Sequence, residues 1–135
     1  MPDLSTILKA RQPLTLAQVA RGAQPLVMAD LARASSGRAV FIAPDDAAMR
    51  GVVDAATFFA PELEVIEFPA WDSLPYDRAS PALSISAKRL AALHRLQAGK
   101  AKAQLVVTTA NAVLQRVLTP FRIRESVREF TPGAE

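Results

Sequence analysis

The stretch Ala39-Val-Phe-Ile-Ala43, followed by Pro44 and by the segment Asp46 to Phe59, decides the fold class. The first five residues are a short, continuous apolar run, which is typical of a strand covered on both faces in a parallel sheet. The later segment repeats apolar residues at helical spacing, at Met49, Val52, Val53 and Ala56. Asp45 is a favourable N-cap for that helix, and Pro61 prevents its continuation. A buried strand therefore leads through a short connection into an amphipathic helix.

Further runs of the same kind lie on both sides of this unit. Gln104 to Thr109 is a second apolar run, and Leu63 to Phe68 alternates, which favours a position nearer an edge of the sheet. Leu14 to Val19 is a further candidate strand. The predicted helices are Pro25 to Ala34, Ser84 to Gln97 and a short one from Asn111 to Leu118, ended by Pro120.

The helix from Ser84 to Gln97 has a predicted apolar face and a predicted charged face. Leu90, Leu93 and Leu96 are its core candidates, and its outward residues are Lys88, Arg89 and Arg95. Gly99 ends it.

The alternation of strands and helices with short connections predicts an α/β fold with a doubly wound, mostly parallel sheet. Residues 1–13 are an N-terminal extension and residues 14–120 form the α/β domain. The tail, residues 121–135, is ambiguous, because Phe121 and Ile123 alternate while Ile123, Val127 and Phe130 keep helical spacing. We favour an exit strand from about Ser126 to Phe130, leading to a second small domain that is truncated here.

Composition indicates one soluble domain. The chain has 135 residues, 50% apolar and 21% charged, with no cysteine and a net charge of +3. The absence of cysteine excludes disulfides, thiolate zinc sites and cysteine nucleophiles. No signal peptide and no apolar run of roughly 20 residues is present, so a cytoplasmic protein without a membrane segment is expected. The basic residues are scattered among acids, which favours a solvated surface over a nucleic-acid site.

The segment Ala20 to Pro25 lies where a doubly wound nucleotide-binding domain carries its phosphate loop, after the candidate strand Leu14 to Val19. A phosphate loop needs glycines, a lysine for the phosphates and a hydroxyl for Mg²⁺. Here Gly22 is the one glycine, Gln24 stands in place of the lysine, and Pro25 stands in place of the hydroxyl residue and lacks an N–H. We therefore predict no bound cofactor, no metal and no catalytic residue in this chain.

Other catalytic interpretations are weaker. His94 is the single histidine and is more simply a packed or surface residue of its helix. Asp45 and Asp46 resemble metal ligands or an acidic helicase motif, although a helix cap and first-turn charge explain them more simply. Asp72 and Asp77 form a possible acid/base pair, but bonds to backbone N–H groups or to Arg78 are the simpler reading.

The long irregular stretch Pro69 to Pro81 contains the single tryptophan, Trp71, and the single tyrosine, Tyr76. Loops of this length in a compact domain are usually functional. One interpretation is a loop pinned onto its own domain by aromatic side chains. The other is a recognition surface, since exposed Trp and Tyr often dominate interfaces.

Two segments of this sequence resemble a known family. Phe68-Pro-Ala-Trp-Asp-Ser-Leu-Pro-Tyr-Asp-Arg-Ala-Ser-Pro81, continuing at Ser86-Ala-Lys-Arg-Leu-Ala-Ala-Leu93, resembles the N-terminal region of bacterial transcription-repair coupling factors (Mfd). Val106-Val-Thr-Thr-Ala-Asn-Ala-Val-Leu-Gln-Arg-Val117 is also similar to that family. The resemblance extends from about Leu14 to the end. It singles out the signature residues Trp71, Asp72, Leu74, Pro75, Tyr76, Asp77, Arg78 and Pro81 as a possible interaction surface.

The resemblance implies a fold like that of RecA-type helicase domains, similar to the first domain of UvrB, with a degenerate phosphate loop. It implies a parent protein that displaces stalled RNA polymerase with an ATP- and Mg²⁺-dependent translocase located elsewhere. That parent recruits UvrA for nucleotide excision repair, and it contacts RNA polymerase and DNA through other domains. This chain departs from UvrB at Ala20 to Pro25 and also in Pro69 to Pro81, which is too short for the DNA-clamping hairpin.

The leading hypothesis is a non-catalytic scaffold whose partners are UvrA and other domains of the parent protein. One alternative is an active nucleotide-dependent helicase domain that holds phosphate through the backbone of Gly22 to Gln24. The other is a direct DNA-binding module that uses Trp71, Tyr76 and the scattered arginines.

Overall fold

The computed structural model describes residues 3–35, 37–73, 76, 78, 80–99 and 102–126. Its helices are α1 (Leu4–Lys9), α2 (Gln24–Ala34), α3 (Asp46–Phe59), α4 (Leu83–Gln97), α5 (Ala110–Leu114) and α6 (Pro120–Ser126). Its strands are β1 (Arg38–Ala43), β2 (Glu64–Phe68) and β3 (Gln104–Thr109), and a 3₁₀ turn (Arg21–Ala23) precedes α2. Over these residues, no helix has both the length and the apolar character that crossing a membrane requires.

The three strands form one parallel sheet in the order β1-β3-β2. In register, Val40 of β1 lies beside Val106 of β3, which lies beside Ile66 of β2. This confirms the α/β class and the parallel sheet. It also confirms the edge position predicted for the strand that ends at Phe68.

Helices pack on both faces of the sheet. On one face, Met49, Val52 and Ala56 of α3 pack against Leu105 and Val107 of β3. On the other face, the neighbouring residues Ile66, Phe68 and Val106 pack with Ala92 of α4 and with Ala112 of α5. Because alternate residues of a strand point to opposite faces, β3 contributes to both clusters, and all six of its residues are buried.

Strand β1 differs from the prediction that it would be covered on both faces. Val40 is 52% exposed and Ile42 is 55% exposed, although both share a face with the buried Val106. The reason is that β1 lies at an edge of the described sheet and that α4 packs mainly over β2. A continuous apolar run indicated a strand correctly but did not indicate which neighbours would cover it.

Helix α3 has the predicted bounds and the predicted cap. Asp45 has extended backbone angles, and its carboxylate accepts a hydrogen bond of 2.8 Å from the N–H of Ala48. Helix α5 begins in the same way at Thr109, whose hydroxyl accepts from the N–H of Ala112 at 3.3 Å. These side chains satisfy N–H groups that no helical carbonyl can reach.

The strand expected from Leu14 to Val19 is not formed. This stretch is irregular, with Leu14 51% exposed and Leu16 39% exposed. Gln18 adopts φ 60, a left-handed conformation that interrupts an extended chain. The alternating pattern is present, but no described strand pairs with it. The helix α1 within the N-terminal extension was not predicted; Asp3 caps it by accepting from the N–H of Ser5.

The segment after β3 also differs from the prediction. Helix α5 ends at Leu114 instead of Leu118, because Gln115 is extended and its side chain bonds outside the helix. Pro120 begins α6 instead of following the end of a helix, which suits its fixed φ and missing N–H. The strand favoured from Ser126 to Phe130 is wrong at Ser126, which ends α6, and residues 127–130 lie outside the described residues.

Candidate functional site

A groove lies where α2 and α3 begin, beside the carboxyl end of β1. Its lining includes Arg21, Gly22, Gln24 and Pro25 from the start of α2, and Phe41, Ile42, Pro44 and Asp45 from the end of β1 and the start of α3. Its volume is about 840 Å³, which is within the range of small-molecule sites. The predicted phosphate-loop segment therefore lies at a carboxyl strand end, as in nucleotide-binding α/β domains, although the strand expected before it is absent.

The start of α2 lacks features that hold phosphate. Ala23, its N-cap, has no side-chain hydrogen bond, and Pro25 is buried at the first helical positions, where it offers no N–H. A Cβ added to Gly22 would meet no atom within 4 Å, so this glycine is not required for a close approach of the backbone. Gln24 supplies an amide in place of a cation.

The negative charge beside the N-terminus of α3 disfavours an anion in that part of the groove. The carboxylate of Asp45 lies at the N-terminus of α3, where it already accepts the N–H of Ala48. A phosphate at this helix end would meet that negative charge. Arg21 is the cation of the lining, and it lies on the α2 side.

The second candidate region is the beginning of the loop after β2, where a buried arginine holds Trp71. Arg89 of α4 is 2% exposed. Its guanidinium carbon lies 4.3 Å from the ring centroid of Phe68 and 4.5 Å from that of Trp71, so both rings make cation–π contacts with it. One terminal nitrogen donates to the carbonyl of Pro69 at 2.6 Å. Burial lowers the pKa of Arg89 below its ordinary value, because desolvation disfavours the charged form.

Gln115 connects this arginine to the loop. Its side-chain oxygen accepts from the backbone N–H of Trp71 at 2.8 Å and from Arg89 at 3.2 Å. On the far side of the loop, the carboxylate of Asp72 accepts from the N–H of Ala82, just before α4, at 3.2 Å. This agrees with the reading of Asp72 as a partner for backbone N–H groups.

The signature residues are thus placed in two different environments. Trp71 is half-buried and pinned to its own domain, whereas Tyr76 is 98% exposed and Arg78 is also exposed. Pro81 is half-buried. Leu74, Pro75 and Asp77 lie outside the described residues. Trp71 packs on its own domain, as the first interpretation of this loop predicts. Tyr76 is exposed, as the second interpretation, a recognition surface, requires.

Sequence reasoning missed Arg89 and Gln115. Arg89 was assigned to the outward face of its helix, and the structure contradicts this, while the core candidate Leu90 is 39% exposed. The available signal was spacing: Arg89 lies four residues after Ile85 and three before the buried Ala92, on one stripe of the helix. For Gln115 we find no local signal, since its two partners are distant in sequence.

No described group of three or more His, Asp or Glu side chains is arranged to hold a metal ion. His94 is half-buried within α4. Asp45 acts as a helix cap, as the simpler of its two readings expected.

The comparison with known proteins bears on this arrangement. Part of this chain is similar to a transcription-repair coupling factor. The relative is the transcription-repair-coupling factor of Rickettsia bellii (strain RML369-C), which is 37% identical over 62 residues. Those residues are 46% of this chain and 5% of the coupling factor, so the chain spans a small fraction of that relative's length. No family model matches the chain, and no solved structure matches it. The resemblance to coupling factors inferred from the sequence is confirmed over this segment.

Proposed function

We propose that this chain is a non-catalytic, UvrB-like module of a transcription-repair coupling factor, and that it neither binds nor hydrolyses ATP. The observation that carries this is the start of α2, where Pro25 removes an N–H, Gln24 replaces a cation, and Asp45 faces the same groove. ATP and Mg²⁺ belong to the motor domains of the parent protein. The described residues of this groove do not fit them, because they include neither the lysine nor the hydroxyl that ATP and Mg²⁺ require.

The same proposal assigns the chain to the helicase-like α/β domains with a degenerate phosphate loop. It is supported by the parallel sheet with helices on both faces and by the position of Ala20 to Pro25 beside the carboxyl end of β1. The parent protein would act in the cytoplasm, displace stalled RNA polymerase at DNA lesions and recruit UvrA for excision repair. In this view the chain supplies surfaces for UvrA and for other domains of the parent.

The test is a thermal-shift titration with ATP and Mg²⁺. A nucleotide-binding domain at ten times its Kd gains about 1.4 kcal/mol of stability. We expect no saturable rise in the melting temperature of this chain up to millimolar ATP.

Two variants make the result specific. A saturable shift that disappears in Arg21→Ala or Gln24→Ala, both in the groove, but persists in Arg50→Ala, an exposed arginine of α3, would contradict the proposal. Such a result would instead favour the active nucleotide-dependent domain. A saturable shift that is the same in all three variants would indicate ATP binding outside the groove, and it would also contradict the proposal that this chain does not bind ATP.

A further inference from the structure

Large apolar side chains are exposed along the segment that follows strand β3. They lie within nine residues of sequence, and they are Val113 (53% exposed), Leu114 (87%), Val117 (53%), Leu118 (47%) and Phe121 (61%). We call this the 113–121 surface. Soluble proteins rarely leave clustered large apolar side chains in water unless the cluster has a binding role.

The backbone under this surface is fixed at three points. Ala112 is fully buried against the sheet, and Ile123 of α6 is 2% exposed. Between them, Gln115 bonds to Arg89 and to the N–H of Trp71. Because the chain is held on both sides and in the middle, its apolar side chains are presented outward from a fixed backbone. Such pre-organisation lowers the entropy lost on binding.

The charges of the segment that carries this surface are unbalanced. The segment from Ala110 to Ser126 contains three arginines, Arg116, Arg122 and Arg124, and one acid, Glu125. Arg122 lies 3.8 Å from Glu125 in an exposed pair. Exposed pairs of this kind contribute little, and the segment has a net positive charge.

We propose that the 113–121 surface docks a protein segment that carries apolar and carboxylate side chains together. The apolar cluster would be covered by the partner's apolar residues, and Arg116 and Arg124 would face its carboxylates. This inference rests on the proposed function, in which the chain is a binding body, and it deepens it by assigning the surface and the chemistry of the partner.

Two other occupants fit less well. A second copy of this chain would bring the same arginines against each other across a two-fold interface, which costs free energy. Nucleic acid is recognised by basic residues combined with stacking aromatics or polar groups, and here four of the five exposed side chains are aliphatic. Both occupants are outcomes of the test below.

The test uses the full chain and two fluorescein-labelled peptides, measured by fluorescence anisotropy. One peptide is an amphipathic helix of leucine, alanine and glutamate, and the other replaces every glutamate with lysine. We expect the acidic peptide to bind at least tenfold more tightly than the basic one, with an affinity that falls as salt is added. Equal binding of the two peptides, or no binding of the acidic peptide at millimolar concentration, would overturn the proposal.

Variants locate the binding. The double variant Leu114→Ser with Phe121→Ser should weaken binding of the acidic peptide at least tenfold. Arg116→Gln alone should weaken this binding several-fold. The matched control is Phe58→Ser with Phe59→Ser, an exposed aromatic pair elsewhere on the chain, which should change the Kd less than twofold. Because all these side chains are exposed, melting temperatures should stay close to that of the parent chain. If the test pair at Leu114 and Phe121 and the control pair at Phe58 and Phe59 weaken peptide binding equally, the proposal is wrong.

Two further measurements address the other occupants. If a thymidine 20-mer binds more tightly than the acidic peptide, and this binding disappears in Arg116→Gln, the surface binds nucleic acid and the proposal is wrong. A dimer in sedimentation equilibrium that Phe121→Ser dissociates would replace it with self-association. Since the ATP titration tests the groove at α2 and these experiments test the 113–121 surface, failure of one is distinguishable from failure of the other.

Discussion

Arg89 shows how a single residue links the sheet, α4 and the loop after β2. Burial removes water from its charged group, which costs the folded state free energy and also lowers the pKa of Arg89 below its ordinary value. The rings of Phe68 and Trp71 and the bonds from Nη1 to Pro69 and Gln115 offset part of that cost, while Nη2 is buried without a hydrogen-bond partner among the described residues. These contacts stabilise the buried guanidinium, and no carboxylate among the described residues pairs with it.

Replacing Arg89 with lysine should destabilise the chain by about 2 kcal/mol, because a compact ammonium cannot stack on the rings of Phe68 and Trp71 as the planar guanidinium does. Urea unfolding measures the loss. The fluorescence of Trp71, the single tryptophan, should shift to longer wavelength as its ring becomes more exposed. Arg95→Lys is the control, since Arg95 is exposed and lies 3.9 Å from Glu64. A loss below about 0.5 kcal/mol for Arg89→Lys would contradict this account.

Gln104 is a second buried polar residue with a defined role. At the first register position of the sheet, its oxygen accepts from Arg38 at 2.8 Å and its nitrogen donates to Glu64 at 2.8 Å. We expect Gln104→Leu to cost about 1–3 kcal/mol, because two partly buried partners lose their bonds. Glu64→Gln, which can still accept from Gln104, should cost less in the same chemical denaturation experiment. If Glu64→Gln cost more than Gln104→Leu, the hydrogen bonds of Gln104 to Arg38 and Glu64 would not be the source of the lost stability.

At the scale of elements, those with local signals were predicted well. Helix α3 was predicted residue for residue because its apolar spacing, its cap and the proline after it all lie within the segment. The helix predicted from Asn111 begins one residue earlier, at Ala110, where Thr109 provides a local cap. Its early end does not follow from a local signal, because Gln115 bonds to Trp71 and Arg89, which are 44 and 26 residues away.

The cap of α3 can be tested separately from any acidic chemistry of Asp45. Asp45→Ala should lower the free energy of unfolding by about 1 kcal/mol, since the N–H of Ala48 loses its acceptor. Asp45→Asn should be nearly neutral, because asparagine caps as well as aspartate does. Asp46→Ala, which removes only a first-turn charge, should cost a few tenths of a kcal/mol. Thermal unfolding of the three variants gives the order, and a large loss in Asp45→Asn would indicate a role for the charge itself.

On the scale of the whole molecule, two exposed carboxylates with lowered pKa values contribute to the way stability responds to acid. The pKa of Asp3 is lowered from its ordinary 3.8 by hydrogen bonds from the hydroxyls of Ser5 and Thr6. The pKa of Glu62 is lowered from 4.5 by its own backbone N–H and then by Arg33, to which it is ion-paired. A carboxylate with a lowered folded pKa contributes stability above its unfolded pKa and loses it as pH falls through the folded value.

We therefore expect the melting temperature to change little between pH 6 and 8, roughly, and to fall below pH 4.5, the ordinary value for Glu62. Glu62→Gln should remove part of this acid sensitivity and should lower the melting temperature slightly at neutral pH. Melting curves across the acid range check this expectation. A melting temperature that rises as the pH falls below 4.5 would reverse the assigned sign.

The sequence by itself determined the α/β class, the three strands, the bounds of α3 and the resemblance to coupling factors, because those signals are periodicity, caps and motifs within short segments. Only the tertiary structure decided that β1 lies at an edge of the described sheet, that Leu14 to Val19 pairs with no described strand, and that Arg89 is buried. Each of these depends on which distant segment packs against the residue, and local patterns carry no such information. The position of the backbone that carries the 113–121 surface also depends on tertiary structure, because Gln115 bonds to residues that are distant in the sequence.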